Sequence, residues 1–311
     1  MSLAIGLVGL GAIAKAQHLP AIAATEGVHL AAIASRNAPL PDVPSHHGLT
    51  EMLAAHPELD IVSLCTPPQG RFEQGMEVLR AGRHLMLEKP PAMSLSEIET
   101  LRETAAQAER TIFATWHSRE AAAVEAARAW LLERKATRIA IAWRENVRKW
   151  HPGQEWIWQP GGLGVFDPGI NALSILTRLL HDPVHLKSAN LSVPEGRQTP
   201  IAAELTLCAG DIPVTAQFDW RETGDELWRI TIETDEGDLA QLDKGGAEFS
   251  VNGAQICSGD NHEYARLYAR MRDLVAQGQS DVDLAPLRLV ADAFMTARFN
   301  TVAPFDTEAA Q

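Results

Sequence analysis

What is scarce in this sequence already excludes several classes of protein. Aromatic side chains make up 6% of the 311 residues, and the three cysteines, Cys65, Cys208 and Cys257, lie far apart without a C-x-x-C. An odd, dispersed set indicates neither a disulfide framework nor a zinc site, and it predicts a reducing, cytoplasmic setting. Positive charge is in deficit as well: 27 Lys and Arg stand against 40 Asp and Glu, leaving −13. That balance argues against a sequence-independent grip on nucleic acid or on an anionic membrane, so an anionic ligand has to be met by a local arrangement of charge. No stretch reaches the ~18 uninterrupted apolar residues of a membrane span. Met1 to Ala14 carry no side-chain charge and Ala14-Lys15-Ala16 has the small residues of a signal-peptide cleavage site, but the basic n-region of such a signal is missing.

What the chain does have is a large apolar share, 46%, beside 22% charged residues. A length of 311 residues reads as roughly two domains. From Leu3 to about Trp116, short apolar runs alternate with amphipathic ones, as in βαβ units on a parallel sheet. The strand candidates are Leu3–Val8, His29–Ala34, Asp60–Cys65, His84–Leu87 and Thr111–Thr115. Most are continuously apolar, as strands covered on both faces must be. The helix candidates between them are Ala12–Thr25, interrupted by Pro20, then Leu49–Ala55, Arg71–Ala81 and Ser94–Ala108, the last opened by a capping box of Ser94 and Glu97.

After a linking helix over Ala121–Arg134 the style changes. Ala136–Arg144 reads as a strand and Val165–Leu180 as a helix. From Val184 to about Val251 only strand-like segments remain, separated by turns. Ile201, Ala203, Leu205 and Leu207 alternate with Ala202, Glu204, Thr206 and Cys208; Val214, Ala216, Phe218 and Trp220 alternate with polar neighbours in the same way, and so do Trp228, Ile230 and Ile232. Such a period of two predicts an antiparallel sheet with one buried and one wet face. Two helices, about Asn261–Gln277 and Pro286–Arg298, end the chain. The expected fold class is α/β: an N-terminal dinucleotide-binding (Rossmann) domain over 1–120, then a C-terminal α+β domain over 121–311 on an open, mostly antiparallel sheet, with the C-terminal helix able to pack back on the first domain.

Gly9-Leu10-Gly11-Ala12-Ile13-Ala14 is G-x-G-x-x-A, directly after a strand and opening a helix. The first glycine makes the tight turn, the second lets the backbone approach a pyrophosphate, and the small third residue permits close packing of helix on strand. Helix-start N–H groups around Gly11, Ala12 and Ile13 then face the phosphates. The second strand ends in Ala34-Ser35-Arg36-Asn37, where an NAD enzyme would carry an Asp or Glu for the ribose. A hydroxyl and a guanidinium suit a 2′-phosphate, so NADP is the expected cofactor, with NAD accepted as well; the alternative for Arg36 is a solvent-facing loop residue. Thr66-Pro67 after the third strand and Glu88-Lys89 after the fourth complete the cofactor edge of the sheet. Lys89 is followed by Pro90-Pro91, which restricts its backbone, and an ammonium beside a cationic nicotinamide can have its pKa lowered toward working pH.

A second constellation runs from Gly161 to Asn171. Asp167-Pro168 is a helix-start signal, and Asp167 and Asn171, four apart, share one face of the first turn. An isolated Asp-Pro pair would be read as a cap. Here a glycine-rich approach and Trp143, Trp150, Trp156 and Trp158, half of the chain's eight tryptophans, precede it. Apolar ring faces interleaved with Glu145, Arg148, His151 and Gln154 suit a polyol.

These motifs, G-x-G-x-x-A at Gly9–Ala14, E-K-P at Glu88–Pro90 and the helix start at Gly161–Asn171, together resemble the glucose-fructose oxidoreductase/inositol dehydrogenase (Gfo/Idh/MocA) family across essentially the whole chain. Within it, Trp116–Arg119, Trp150–Gln154 and Gly164–Asn171 are similar to the bacterial L-arabinose/D-galactose 1-dehydrogenases. The resemblance implies oxidation of an aldopyranose at C1 to its lactone with NAD(P). In the inositol dehydrogenases of the family, a histidine four residues after the aspartate is taken as the base. Asn171 stands at that position, and an amide cannot accept the proton. Proton removal is therefore assigned to the Lys89/Asp167 pair, with either group as its owner, and Asn171 orients the sugar. His117, Glu145 and His151 are candidates for holding the other hydroxyls, and Trp150 and Trp158 for the ring faces.

Two rivals remain from the sequence: a dinucleotide- and sugar-binding regulator without turnover, and a dehydrogenase of another polyol such as inositol. A regulator needs neither Lys89 nor Asp167. No metal is expected, since the histidines are scattered, His46-His47 has no partner pair, no H-E-x-x-H exists, and hydride transfer needs none. The polar sheet face does not demand burial, so a monomer and a homodimer are both compatible with it.

Overall fold

The computed structural model describes residues 2–36 and 39–306; Asn37, named above beside Arg36, lies outside the described residues. The chain divides into two compact units, one taking the residues up to His117 together with His262–Asp283, the other Ser118–Asn261 and the residues from Leu284 onward.

In the first unit six strands, β1 (Leu3–Val8), β2 (Val28–Ala34), β3 (Ser45–His46), β4 (Ile61–Leu64), β5 (His84–Leu87) and β6 (Ile112–Ala114), form an all-parallel sheet in the order β3-β2-β1-β4-β5-β6. The order reverses between β1 and β4, and ligands of open parallel sheets bind at the carboxyl ends of the strands on either side of such a switch. The expected strands are all present, with ends differing by at most a residue. β3 was not foreseen, because two polar residues carry no apolar run. It brings His46 Nε2 to 3.0 Å from His56 Nε2, ten residues on.

Four helices follow the pattern of the crossovers: α1 (Leu19–Ala24), α2 (Leu49–Ala55), α3 (Arg71–Arg80) and α4 (Leu95–Gln107). Pro20 does not interrupt the first. Helical turns run from Ala12 to Ala24, and Ala14–His18 widen into a π-helical segment, so that Pro20 enters just after it in the opening turn of α1. The widened π-helical turn just before it interrupts the regular i to i−4 ladder, which is where a proline ring and its missing N–H can be accommodated in a continuing helix. At α4, Ser94 Oγ accepts the Glu97 N–H as expected of a capping box. The reciprocal bond differs: Glu97 accepts from the Met93 N–H rather than from Ser94.

The second unit opens with α5 (Val124–Leu132) and continues through β7 (Ala136–Arg144), α6 (Val147–Trp150), α7 (Phe166–Leu179), β8 (Val184–Pro194), β9 (Ala202–Ala209), β10 (Ile212–Asp219), β11 (Leu227–Thr234), β12 (Leu239–Asp243), β13 (Glu248–Val251) and β14 (Ala254–Ser258). Next comes α8 (Glu263–Gln277), which belongs to the first unit, then α9 (Ala285–Thr296) and β15 (Arg298–Val302). The sheet has nine strands in the order β14-β13-β12-β11-β7-β10-β9-β8-β15, antiparallel throughout except for β7 with β10 and β8 with β15. The predicted alternation holds for most positions: Leu205, Leu207, Val214, Ala216, Phe218, Trp220, Ile230 and Ile232 are buried, while Glu204, Thr206, Thr215 and Gln217 are exposed; Ala202, expected on the wet face, is buried, and Trp228, expected inside, is half-buried. The last helix was expected to reach Arg298. It stops at Thr296 because Ala297 turns extended (φ −68°, ψ 154°) and the β-prone residues that follow pair with β8.

The first unit's core gathers Ile5, Leu7, Met86 and Phe113 from its sheet with Tyr264, Leu267, Tyr268, Met271 and Leu274 from α8. Beyond α8, Asp281 exchanges backbone hydrogen bonds with Ile112 and Ala114, and Trp116 donates its indole N–H to Asp283 O at 3.0 Å. No helix among the described residues is long and apolar enough to cross a membrane.

Candidate functional site

Each unit brings its own group of predicted residues together. In the first unit the chain leaves β1 through Gly9 at φ +93°, a left-handed conformation that favours glycine. A Cβ there would also lie 3.0 Å from Thr66 N and 3.1 Å from the Cys65 carbonyl carbon, so the turn is pressed against the end of β4. Gly11 differs, since a Cβ built on it meets nothing within 4 Å. Protein packing does not require glycine at that position, which immediately precedes the helix beginning at Ala12. The third small residue, Ala14, is fully buried, as close packing of helix on strand demands. Ser35 Oγ accepts the Leu10 N–H at 3.3 Å, tying the end of β2 to this turn, and Arg36 beside it is exposed. A glycine open to solvent at a helix N-terminus fits a dinucleotide, and the end of β2 carries a hydroxyl and a cation in place of a carboxylate.

Glu88 and Lys89 follow β5. Glu88 is buried, and its Oε1 meets His18 Nε2 at 3.0 Å while its Oε2 accepts the Lys89 N–H at 2.9 Å. Burial alone would favour the neutral acid. The His18 hydrogen bond and charge, with His117 and Lys89 behind them, overcome it and bring the carboxyl down to about 2. The other His18 nitrogen lies 2.7 Å from the Tyr268 hydroxyl, which donates to Ser63 Oγ at 3.3 Å. Lys89 itself is half-buried, and the Lys89–Pro90 peptide is cis. Thr66 Oγ1 donates to Gln74 Oε1 at 2.8 Å, and Pro67 is exposed. His117 also belongs to this unit, 2.5 Å from a Glu263 carboxylate oxygen and stacked on Tyr264 at 5.4 Å.

In the second unit Glu145, His151, Asp167, Trp150 and Trp158 form one cluster. The glycines before α7 let the backbone approach two neighbours: a Cβ on Gly162 would come within 2.4 Å of Trp156 O, and one on Gly164 (φ +54°) within 2.3 Å of Pro200 O. Asp167 is thereby delivered to the first turn of α7 beside the Trp150–Trp158 segment. It does not act as the cap, for the helix is entered at Val165 without a side-chain bond. Its Oδ2 instead lies 3.2 Å from His151 Nε2, and His151 Nδ1 lies 3.2 Å from Gln154 Oε1. Asn171 is half-buried one turn further along. Arg148 turns elsewhere, donating to Asp306 O and lying 4.4 Å over the Phe305 ring.

Glu145 is 6% exposed and accepts two indole N–H bonds, from Trp220 at 3.1 Å and Trp228 at 3.0 Å. Trp158 packs edge-on against Trp220 at 5.5 Å, and Trp150, 45% exposed, lies 5.8 Å from Trp228. Burial, reinforced by the Asp167 charge, outweighs the indole donors and His151 and pushes the Glu145 carboxyl up to about 7. The folded state thus holds that proton more tightly than the unfolded chain, so this group's stabilising effect is complete below about pH 4.5 and is lost as pH rises toward 7. The upper bound is about 3 kcal/mol. Thermal unfolding at pH 5 and pH 8 should show the wild type losing several degrees more than Glu145→Gln over that interval; identical losses would contradict the assignment.

No motif marks His18, Arg71, Trp220, Trp228 or Tyr268 in the sequence, and its alternation shows Trp220 and Trp228 only as inward-facing sheet residues. Two signals were available for the others: Arg71 shares the apolar i, i+4, i+7, i+8 face of α3 with Gly75, Val78 and Leu79, and the chain's two tyrosines, Tyr264 and Tyr268, lie four apart on one helix.

Residues 3–115 match the sequence profile of an oxidoreductase family with an NAD-binding Rossmann fold. Galactose 1-dehydrogenase of Pseudomonas fluorescens is 44% identical over 314 residues, covering 97% of this chain and 98% of that protein. The crystal structure of a D-galactose-1-dehydrogenase from Rhizobium etli, 46% identical, superposes with a TM-score of 0.94 over 98% of both chains. KijD10, a 3-ketoreductase from Actinomadura kijaniata solved with NADP, shares the fold at 16% identity, with a TM-score of 0.83 over 97% of this chain and all of that one.

Proposed function

The chain belongs to the Gfo/Idh/MocA family of oxidoreductases, and from that premise we propose that it oxidises an aldopyranose, D-galactose and its configurational relative L-arabinose, at C1 to the aldonolactone with NADP, accepting NAD as well. The observation that carries this reading is the cluster at the start of α7: a buried carboxylate bonded to a histidine, a second buried carboxyl held by two indole N–H groups, and tryptophans packed against that histidine and against one another. Carboxyl and imidazole groups suit the hydroxyls of a sugar, and the rings suit its C–H faces.

Bound nicotinamide would supply the hydride acceptor. The chain's own residues do the rest. Backbone N–H groups from Gly11 to Ile13 hold the pyrophosphate, Ser35 and Arg36 the 2′-phosphate, and Thr66, Pro67 and Glu88 border the nicotinamide end. The Lys89/Asp167 pair takes the proton of the C1 hydroxyl. His151, bonded to Asp167, keeps that carboxylate directed, and Asn171 orients the sugar by hydrogen bonds. Glu145 and His151 hold ring hydroxyls beside Trp150 and Trp158, and His117 is a further candidate for a hydroxyl.

D-Galactose and L-arabinose share the configuration of C2 to C4, so one pocket accepts both. Reduction of NADP and of NAD, followed by absorbance against aldoses differing at one centre at a time, tests the proposal. Turnover is expected with D-galactose and L-arabinose and is lost on inversion at C4. Absence of turnover with every aldose would overturn it in favour of a regulator.

A further inference from the structure

Arg71 opens α3 and is only 2% exposed. Taking a guanidinium out of water is costly unless its N–H groups are used, and here they are directed at backbone carbonyls. Nη1 donates to Glu88 O and to Pro90 O, and Nη2 donates to Thr66 O. Those three oxygens come from two separate stretches of chain. Thr66 lies just beyond β4, and Glu88 and Pro90 flank Lys89 on both sides. The Lys89 N–H is meanwhile held by Glu88 Oε2, whose carboxylate is braced by His18 and, through it, by Tyr268 on α8. The backbone on either side of Lys89 is therefore anchored to buried side chains of three different elements.

We propose that Arg71 is a positioning residue: it fixes the direction in which the Lys89 side chain leaves the sheet edge and locks that segment to Thr66-Pro67, so that proton acceptor and cofactor edge keep one geometry. The inference rests on the reading of Lys89 as a member of the proton-accepting pair. Arginine suits the task because its planar fork carries five N–H donors and stays charged, so one side chain can span carbonyls from two loops. Lysine offers a single ammonium and reaches fewer of them.

The test compares Arg71→Met, Arg71→Lys and, as a control, Arg80→Met at the exposed end of the same helix. NADPH affinity is read from tryptophan fluorescence, and kcat and KM are read with D-galactose well below the Tm of each variant. Misplacing a reacting group by about an ångström costs ~100-fold, so Arg71→Met should lose ~100-fold in kcat with the sugar KM changed less than about threefold. Its NADPH Kd should rise by ~10-fold through the loosened Thr66-Pro67 segment, with Arg71→Lys intermediate in both measures. Arg80→Met should match the wild type. A residue serving stability alone would lower Tm and leave both kcat and Kd of the folded protein unchanged, and that outcome overturns the proposal. Failure of both Arg71 variants to fold overturns it too, because it would make Arg71 a requirement of the fold itself. If the wild type turns over no aldose, the functional reading fails, yet the NADPH measurement still decides whether Arg71 holds the cofactor edge.

Discussion

Lys89→Met lowers kcat with D-galactose by ~10³-fold or more, the range expected when a positioned proton acceptor is removed, while NADPH binding weakens far less. The substitution keeps an unbranched apolar stem of nearly the same reach and removes the ammonium. The backbone around it stays anchored through Glu88 and Arg71, so lost turnover reports chemistry rather than a collapsed loop. Asp167→Asn should behave alike, because the amide keeps the shape and cannot accept the proton. Groups that act as a unit are strongly non-additive, so the double variant should be little worse than either single one. Single-turnover rates with saturating NADP and sugar measure this directly. Near-normal turnover of Lys89→Met with tight cofactor binding would falsify the assignment of the proton to the pair.

The second large effect concerns cofactor choice. Arg36→Ala should raise KM for NADP by ~30–100-fold, the loss of a charge-assisted bond to a phosphate, and change KM for NAD less than about threefold. Arg36 is exposed, so its removal leaves stability intact and the comparison clean. Ser35 is less suited to the experiment, since its hydroxyl also receives the Leu10 N–H and supports the glycine turn. Equal effects on the two cofactors would remove Arg36 from the 2′-phosphate site.

The parts of the molecule legible from sequence were those whose cause is local. Strands such as Leu3–Val8, buried from Ala4 onward, show as unbroken apolar runs, and the alternation of β9 to β11 shows one dry and one wet face. The glycine turn, the capping serine and the start of α7 carry their own signatures. What stayed hidden depends on distance along the chain. His18 and Tyr268 meet across 250 positions, and no period in either segment announces the other. Arg71 looks like the opening charge of an amphipathic helix until its carbonyl partners are in view. Glu145 sits amid a tryptophan-rich stretch, yet the indoles that hold it, Trp220 and Trp228, belong to other strands. β3 and β15 are short and polar or exposed, and their partners β2 and β8 define them more than their own residues do.

The return of α8 to the first unit has a consequence for how the protein is made. On the ribosome, the six strands of the nucleotide-binding sheet emerge long before Tyr264, Leu267, Tyr268, Met271 and Leu274, so Ile5, Leu7 and Met86 wait uncovered while some 140 residues of the other unit are synthesised. His18 likewise has Glu88 at hand 70 residues on and gains Tyr268 only 250 residues on. The unit begun first therefore acquires its last helix only after Ser118–Asn261 of the other unit has been synthesised.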